Sequence, residues 1–346
     1  LHNNTAFTPG VAGARTGRGA SVILAILGLA LAACEAPLVL DGVNSERARE
    51  LRRYDMLQAA AHSGDRVAVV SSVGTLLLSD DNGHSWRRVE LPGRPALIDI
   101  SACPSGRLFA LDTSRQVWSS AGESGAWQAA KIDTGENTLS IHCAPNGRIW
   151  VSASFGTLYW SDGDLAQWHE FSLYEDLQFT AVRFVDALNG YALGEFGTVL
   201  ATTDGGENWA PRTPIPNEFY PMAVDFLDVD TGWVGGLDGV VWQTLDGGRS
   251  WQRQETVTAA PIYNIHADGH GVYAVGGSAK LVELRSGEWR TFDGAPEVLT
   301  YMRGLDTLRD GSLLVAGGSG TLAVIPLQHR PAWAARAAVG EKGAAR

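Results

Sequence analysis

Between Ala181 and Trp209, apolar and polar residues alternate in short runs that glycine and aspartate interrupt at regular places. Ala181-Val-Arg-Phe-Val185 has the two-residue period of a strand with one buried face, and Asp186-Ala-Leu-Asn-Gly190 breaks it as a turn. Tyr191-Ala-Leu-Gly194 reads as a second strand, Glu195-Phe-Gly-Thr198 as a tight turn, and Val199-Leu-Ala-Thr202 as a third strand. An Asp204-Gly-Gly turn then leads to Trp209, which opens a fourth. The same grammar runs along the chain, marked by Trp86, Trp127, Trp168, Trp209, Trp251 and Trp289 at steps of 41, 41, 41, 42 and 38 residues. A period near 40 with four short strands per unit predicts an all-β fold, a seven-bladed β-propeller with four-stranded antiparallel blades.

Blades are expected at about 57–92, 96–131, 138–172, 179–213, 220–254 and 261–293, and a seventh from Leu299. The second and third have Gly122 and Gly163 where the turn aspartate would stand, and the sixth keeps only Trp289 and its second strand. The seventh stops after Gly320-Thr-Leu-Ala-Val-Ile325 without a clear fourth strand. A propeller avoids an exposed sheet edge by letting one terminus complete its last blade, so Leu38–Leu40 is expected to close the ring as that outer strand. The charged stretch Asn44–Ala61 suggests a short surface helix capped by Asn44 or Ser45. The chain therefore divides into a leader (1–33), a closing strand and linker helix (34–56), the propeller (57–327) and a non-periodic Ala/Arg-rich tail expected to be disordered (328–346).

The leader changes where such a propeller would work. Residues 1–33 contain Arg15 and Arg18, no acidic residue, and an apolar run from Ala20 to Ala33, the layout of a secretory signal. That run is shorter than the roughly 20 residues of a membrane-spanning helix. Leu31-Ala-Ala-Cys34 resembles the bacterial lipobox, which implies cleavage before Cys34 and acylation of that cysteine; the alternative is an ordinary signal with a chance cysteine. Glu35 after the cysteine implies the outer membrane over the inner. An exported, lipid-anchored protein at the periplasmic face is expected, monomeric and held to the membrane through its acyl chains. Its net charge of −11 argues against a nucleic-acid partner, and only three of its 27 basic residues are lysine, so a cationic site here would be built of arginine forks. Cys103 and Cys143 sit on neighbouring repeat units, where an oxidising compartment permits a disulfide; two buried thiols are the default expectation.

The strongest sequence motif is Ser/Thr-x-Asp-x-Gly-x-x-Trp. It occurs as Ser79, Asp81, Gly83, Trp86; as Thr202, Asp204, Gly206, Trp209; and as Thr244, Asp246, Gly248, Trp251. This is the Asp-box, or bacterial neuraminidase repeat. With Gly232-Trp-Val-Gly-Gly236 and Gly239-Val-Val-Trp-Gln-Thr244 leading into the motif, the chain resembles the photosystem II stability/assembly factor family over about residues 57–325. The resemblance implies a non-enzymatic propeller, with no cofactor, that binds an immature membrane-protein subunit partly through arginines. In a host that does not photosynthesise it implies an analogous envelope scaffold, for example an accessory lipoprotein of a transport complex.

The aspartates are expected to brace their own turns rather than bind metal or sugar. A sialidase would need a tyrosine nucleophile and an arginine cluster for its substrate carboxylate; Tyr301, Arg303 and Arg183 could be cast in those roles, but the arginine triad cannot be placed. Asp228-Val-Asp-Thr-Gly232 lacks the later glutamate of a calcium loop and reads as a strand connection, so no metal is expected. His142, Arg183 and Asp225 each stand 26 residues before their blade's Trp, with Arg303 close to the equivalent place in the seventh blade. Alternation sends their neighbours Phe184 and Phe226 into the core between blades and these polar residues toward the central channel. They are the candidate partner-binding residues, for a membrane protein or peptide, unless they only pair with one another.

Overall fold

The computed structural model describes residues 40–121 and 126–327. The leader, Cys34, Gly122 and the tail from 328 lie outside the described residues. Residues 49–327 contain seven antiparallel sheets, at 57–90, 97–131, 138–172, 179–211, 223–255, 262–291 and 302–325. Six have four strands, and the seventh has three among the described residues. Within each sheet the strands follow chain order from the innermost outward, and innermost strands of successive blades adjoin around the ring, with Met302–Thr307 of the seventh beside Leu57–Ser63 of the first. This is the seven-bladed propeller the Trp period predicts.

Blade four shows why these residues adopt it. Phe179–Phe184 pairs with Gly190–Gly194, that with Val199–Thr202, and that with Ala210–Pro211. The middle strands of the blades are buried on both faces, as strands packed between two neighbouring sheets must be. Trp150 of blade three is fully buried against Phe184 and meets Trp209 edge-on at 5.6 Å between centroids. Gly206 makes room for it: a Cβ there would lie 2.3 Å from the Trp150 ring, and its φ of 89° is left-handed.

The helix spans Asp41–Arg47, with Leu40 as its N-cap and no side-chain capping bond. It begins before Asn44, which lies inside it, and the apolar alternation from Leu57 onward belongs to the first strand instead. Leu38 and Val39 of the expected closing strand lie outside the described residues, while Leu40 caps the helix. Within the propeller, the segment before blade one already reaches blade seven. The Gly320 N–H donates to the Asp55 carbonyl at 2.8 Å, and Leu51, Leu322 and Val324 share one apolar cluster with Leu57 and Leu308.

Cys103 and Cys143 are joined as a disulfide, with Cα atoms 5.3 Å apart, rather than standing as two thiols. Cys143 ends its innermost strand and Cys103 directly follows the end of its own, and the Cys143 N–H also donates to Ser101 Oγ at 2.9 Å, so two adjacent blades are already held at bonding distance there.

Candidate functional site

In each of the three full motifs the aspartate is spent on its own turn. Ser79 Oγ donates to Asp81 Oδ1 at 2.7 Å and accepts the Gly83 N–H at 2.8 Å. Asp81 in turn accepts the Ser85 N–H and hydroxyl. Thr202 and Asp204 repeat the circuit with Gly206 and Asn208, and Thr244 and Asp246 repeat it with Gly248 and Ser250. Trp86, Trp209 and Trp251 lean half-buried on the adjacent cores. The Ser85 and Ser79 hydroxyls hold Asp81 down at about 2, and the Asn208 amide and N–H with the Thr202 hydroxyl hold Asp204 at about 2. Burial opposes the shift at Asp246, but the Ser250 hydroxyl and N–H prevail and lower it too.

Because these folded-state values lie below the ordinary 3.8, their contribution is complete above that pH and is lost as pH falls toward 2. Thermal unfolding followed by circular dichroism should give a Tm that falls steeply below pH 4. The Asp204→Asn variant should show a shallower acid slope, whereas an identical slope would contradict the brace.

The channel is where polar side chains converge. Strand pairing places Ser101, His142, Arg183, Asp225, His266 and Asp306 at one register of the innermost strands. Arg303 does not share it. Asp306 occupies the equivalent place in blade seven, and Arg303 lies three residues earlier with Gln58, Thr180 and Tyr263 at one mouth of the channel. The reason is a β-bulge near the start of the innermost strand, between Met302 and Gly304 here and at the matching place in blades one, two, four and six. One extra residue resets the alternation, so positions three apart both face the channel.

Several of these side chains brace neighbouring blades. The Phe184 N–H donates to His142 Nε2 at 3.0 Å, the Ile141 N–H to Asp99 Oδ2 at 2.9 Å, and the Ala267 N–H to Asp225 Oδ2 at 2.9 Å, each across 42 residues. Burial, helped by the Arg183 cation, pushes His142 down to about 3, so its imidazole is neutral and its Nε2 a standing acceptor. Arg183 does not pair with Asp225; its Nη1 donates to the Val182 carbonyl at 3.0 Å. Burial raises Asp99, and the Arg183 and Arg303 cations partly offset the shift, so this carboxyl lies within the field of both arginines.

The channel thus has two unlike ends. One mouth is lined by Gln58, Thr180, Arg183, Tyr263 and Arg303. There Arg303 stacks its guanidinium over Tyr263 at 5.2 Å and donates to Gln58 Oε1 at 3.3 Å. Gln58 Nε2 donates to the Tyr301 hydroxyl, and burial raises Tyr301 above its ordinary value, the opposite of an activated nucleophile. Toward the other end, His62 Nδ1 lies 2.7 Å from Asp306, and His266 lies 3.5 Å from Asp225, 3.6 Å from Asp268 and 3.8 Å from Asp306. Burial would lower His266, but the surrounding carboxylates win and raise it to about 10, so it is a cation inside an acidic ring. Among the described residues no group of three or more His, Cys, Asp or Glu side chains is arranged to hold a metal ion.

Of the four candidates, His142, Arg183 and Asp225 share the inner register and Arg303 stands at the mouth. Asp99, Gln58, Tyr263, His266 and Asp306 were not legible as channel residues. Counting 26 back from a blade's Trp identifies His142, Arg183 and Asp225, but blade seven has no such Trp and the 38-residue step to Trp289 displaces the count in blade six.

Residues 161–272 match the family model described as photosynthesis system II assembly factor YCF48. The chain is 26% identical over 163 residues to the photosystem II assembly protein Ycf48 of Thermosynechococcus vestitus, covering 44% of this chain and 46% of that one. It is 30% identical over 174 residues to the photosystem II assembly lipoprotein Ycf48 of Prochlorococcus marinus, covering 47% and 49%. The matches therefore span about half the length of these relatives. Among solved structures, YCF48 bound to D1 peptide superposes with a TM-score of 0.66 at 12% identity over 80% of this chain and 93% of that one. A streptogramin B lyase superposes as well, with a TM-score of 0.68 at 12% identity over 79% and 94%, so the fold alone does not choose a function. Repeat, family-model match and seven-bladed architecture agree that this chain is similar to the photosystem II assembly factor Ycf48.

Proposed function

We propose that this chain is an exported, lipid-anchored propeller that acts as an assembly factor without catalysis, holding a peptide segment of a membrane-protein partner. In a phototrophic host that partner would belong to photosystem II. The observation that carries the reading is the mouth containing Arg303 and Arg183. Two guanidinium forks border one cavity, a donor set suited to a carboxylate of an extended peptide, and Gln58 Oε1 accepts from Arg303 there while its amide N–H groups are held by Met56 and Tyr301. Support for a peptide comes from the relative solved with D1 peptide, and support for anchoring at Cys34 from the relative named a lipoprotein. His142 and Asp225 support the site from within by fixing adjacent strands rather than by touching the peptide.

An affinity pull-down from detergent-solubilised membranes tests this. Reversing both charges with Arg183→Glu and Arg303→Glu should reduce recovered partner by roughly tenfold or more, because facing like charges costs several kcal/mol. Because buried Asp99 lies within the field of both guanidiniums, the Tm of this variant should fall somewhat, and a single cooperative melting transition identifies it as folded. Undiminished recovery by a folded variant would remove the mouth from the binding mechanism. Labelling with radioactive palmitate, present in the natural chain and absent from Cys34→Ser, tests the anchor.

A further inference from the structure

The channel face that carries Arg303 also carries an apolar feature the channel does not use. The connector 172–178 hydrogen-bonds to the blade-three hairpin tip through Gly156 and to the blade-four tip through Glu195. Phe219 of the next connector accepts the Gly197 N–H, and its ring lies where a Cβ on Gly236 would stand, so the series continues to the blade-five tip. Phe155, Tyr174, Phe196, Tyr220 and Leu237 project from this continuous ledge with 36% to 70% of their surface exposed. Three of them, Phe155, Tyr174 and Phe196, hold left-handed backbone with φ of 59°, 55° and 59°. Bulky residues rarely accept that conformation. Blades five, six and seven fill the corresponding hairpin position with Asp238, Ser278 and Ser319, short polar residues that tolerate it. The fold therefore does not require phenylalanine there, and the rings are largely exposed rather than packed.

The ledge is also charged with one sign. Glu170, Glu175, Asp176, Glu218 and Asp238 are exposed along it, and the segments 154–156, 170–178, 194–198, 216–222 and 236–239 contain no Lys or Arg. Exposed aromatic faces between carboxylates attract a cation twice, through the ring quadrupole and through the charge. Anionic lipid headgroups would be repelled, and a second copy meeting the first across a two-fold axis would oppose acid with acid. We propose that this ledge of blades three to five is a second docking surface, for a protein segment in which large apolar side chains alternate with Lys or Arg. It is separate from the Arg183 and Arg303 mouth and does not depend on that reading.

Selection of a phage-displayed random 12-mer library on the intact propeller tests the proposal. Enriched peptides should combine Trp, Phe or Leu with Lys or Arg, and a synthetic copy should bind the Phe155→Gly/Phe196→Gly variant at least tenfold more weakly. Glycine suits the left-handed backbone, so this variant should keep its Tm within a few degrees of the natural chain, which separates lost recognition from lost folding. Arg183→Glu/Arg303→Glu should bind the peptide undiminished. Enrichment of acidic peptides, equal affinity for the glycine variant, or loss only in the arginine variant would overturn the assignment. So would co-sedimentation with phosphatidylglycerol vesicles, or self-association in ultracentrifugation, that the glycine variant abolishes without any peptide being enriched.

Discussion

Replacing Cys103 and Cys143 together by alanine is expected to lower unfolding stability by about 4 kcal/mol, the chain-entropy value for a loop of this length. The bond closes a separation of 40 residues, so most of its effect lies in restricting the unfolded chain. The folded state should survive its loss. Blades two and three remain tied at the same place by the Cys143 N–H to Ser101 Oγ and the Ile141 N–H to Asp99, and both cysteines are buried where alanine is tolerated. For a propeller of this size the Tm should fall by about 8 °C, and a reducing agent should lower the natural protein to the level of the variant without further effect on the variant. A Tm that neither change moves would mean that the link contributes nothing to the unfolded ensemble.

The bond also marks where sequence reasoning ends. The Trp period places Cys103 and Cys143 on adjacent blades, but pairing depends on a few ångströms between strand ends, which no periodicity encodes. The blades are legible because each repeats a local grammar of alternation, turn and tryptophan, and because the Asp-box turns satisfy themselves within eight residues. The channel is legible only in part. Alternation correctly sends Phe184 and Phe226 into the cores and their neighbours Arg183 and Asp225 inward. Arg303 faces the channel too, but three residues short of the shared register, because a bulge adds one unpaired residue without any compositional mark. Asp306, the residue at that register, then pairs with His62 across the seam between the last and first blades, 244 positions away. The helix start is hidden for a different reason: Asn44 and Ser45 are good caps by type, yet the first turn begins at Asp41.

That same seam carries the largest expected effect of a single substitution. Arg88→Met should destabilise the propeller by about 3–5 kcal/mol, because it would strand a carboxylate in the interior. Asp55 is 0% exposed and receives both forks of Arg88, at 2.9 and 3.0 Å, while Arg88 also donates to Thr75 Oγ1 and to the Glu50 carbonyl. Asp55 further accepts the Arg52 N–H, and its own carbonyl takes the Gly320 N–H from blade seven. One buried carboxylate therefore pins the segment before blade one to the outer strand of blade one, and the same residue's backbone pins it to blade seven. Asp55→Asn should cost less than Arg88→Met, since the amide keeps an acceptor and the Arg88 guanidinium, itself buried, retains Glu90 at 3.5 Å as a counter-charge. The double variant Arg88→Met/Asp55→Leu should recover much of the loss, as replacing a buried ion pair by apolar residues often does. A double-mutant cycle in urea measures the coupling, and hydrogen exchange locates it. Amides of 302–325 should exchange faster in Arg88→Met while those of blades three to five keep their protection. Uniform exchange across all blades, or a loss below about 1 kcal/mol, would show that ring closure rests on the apolar cluster of Leu57, Leu308 and Leu314 instead of on this ion pair.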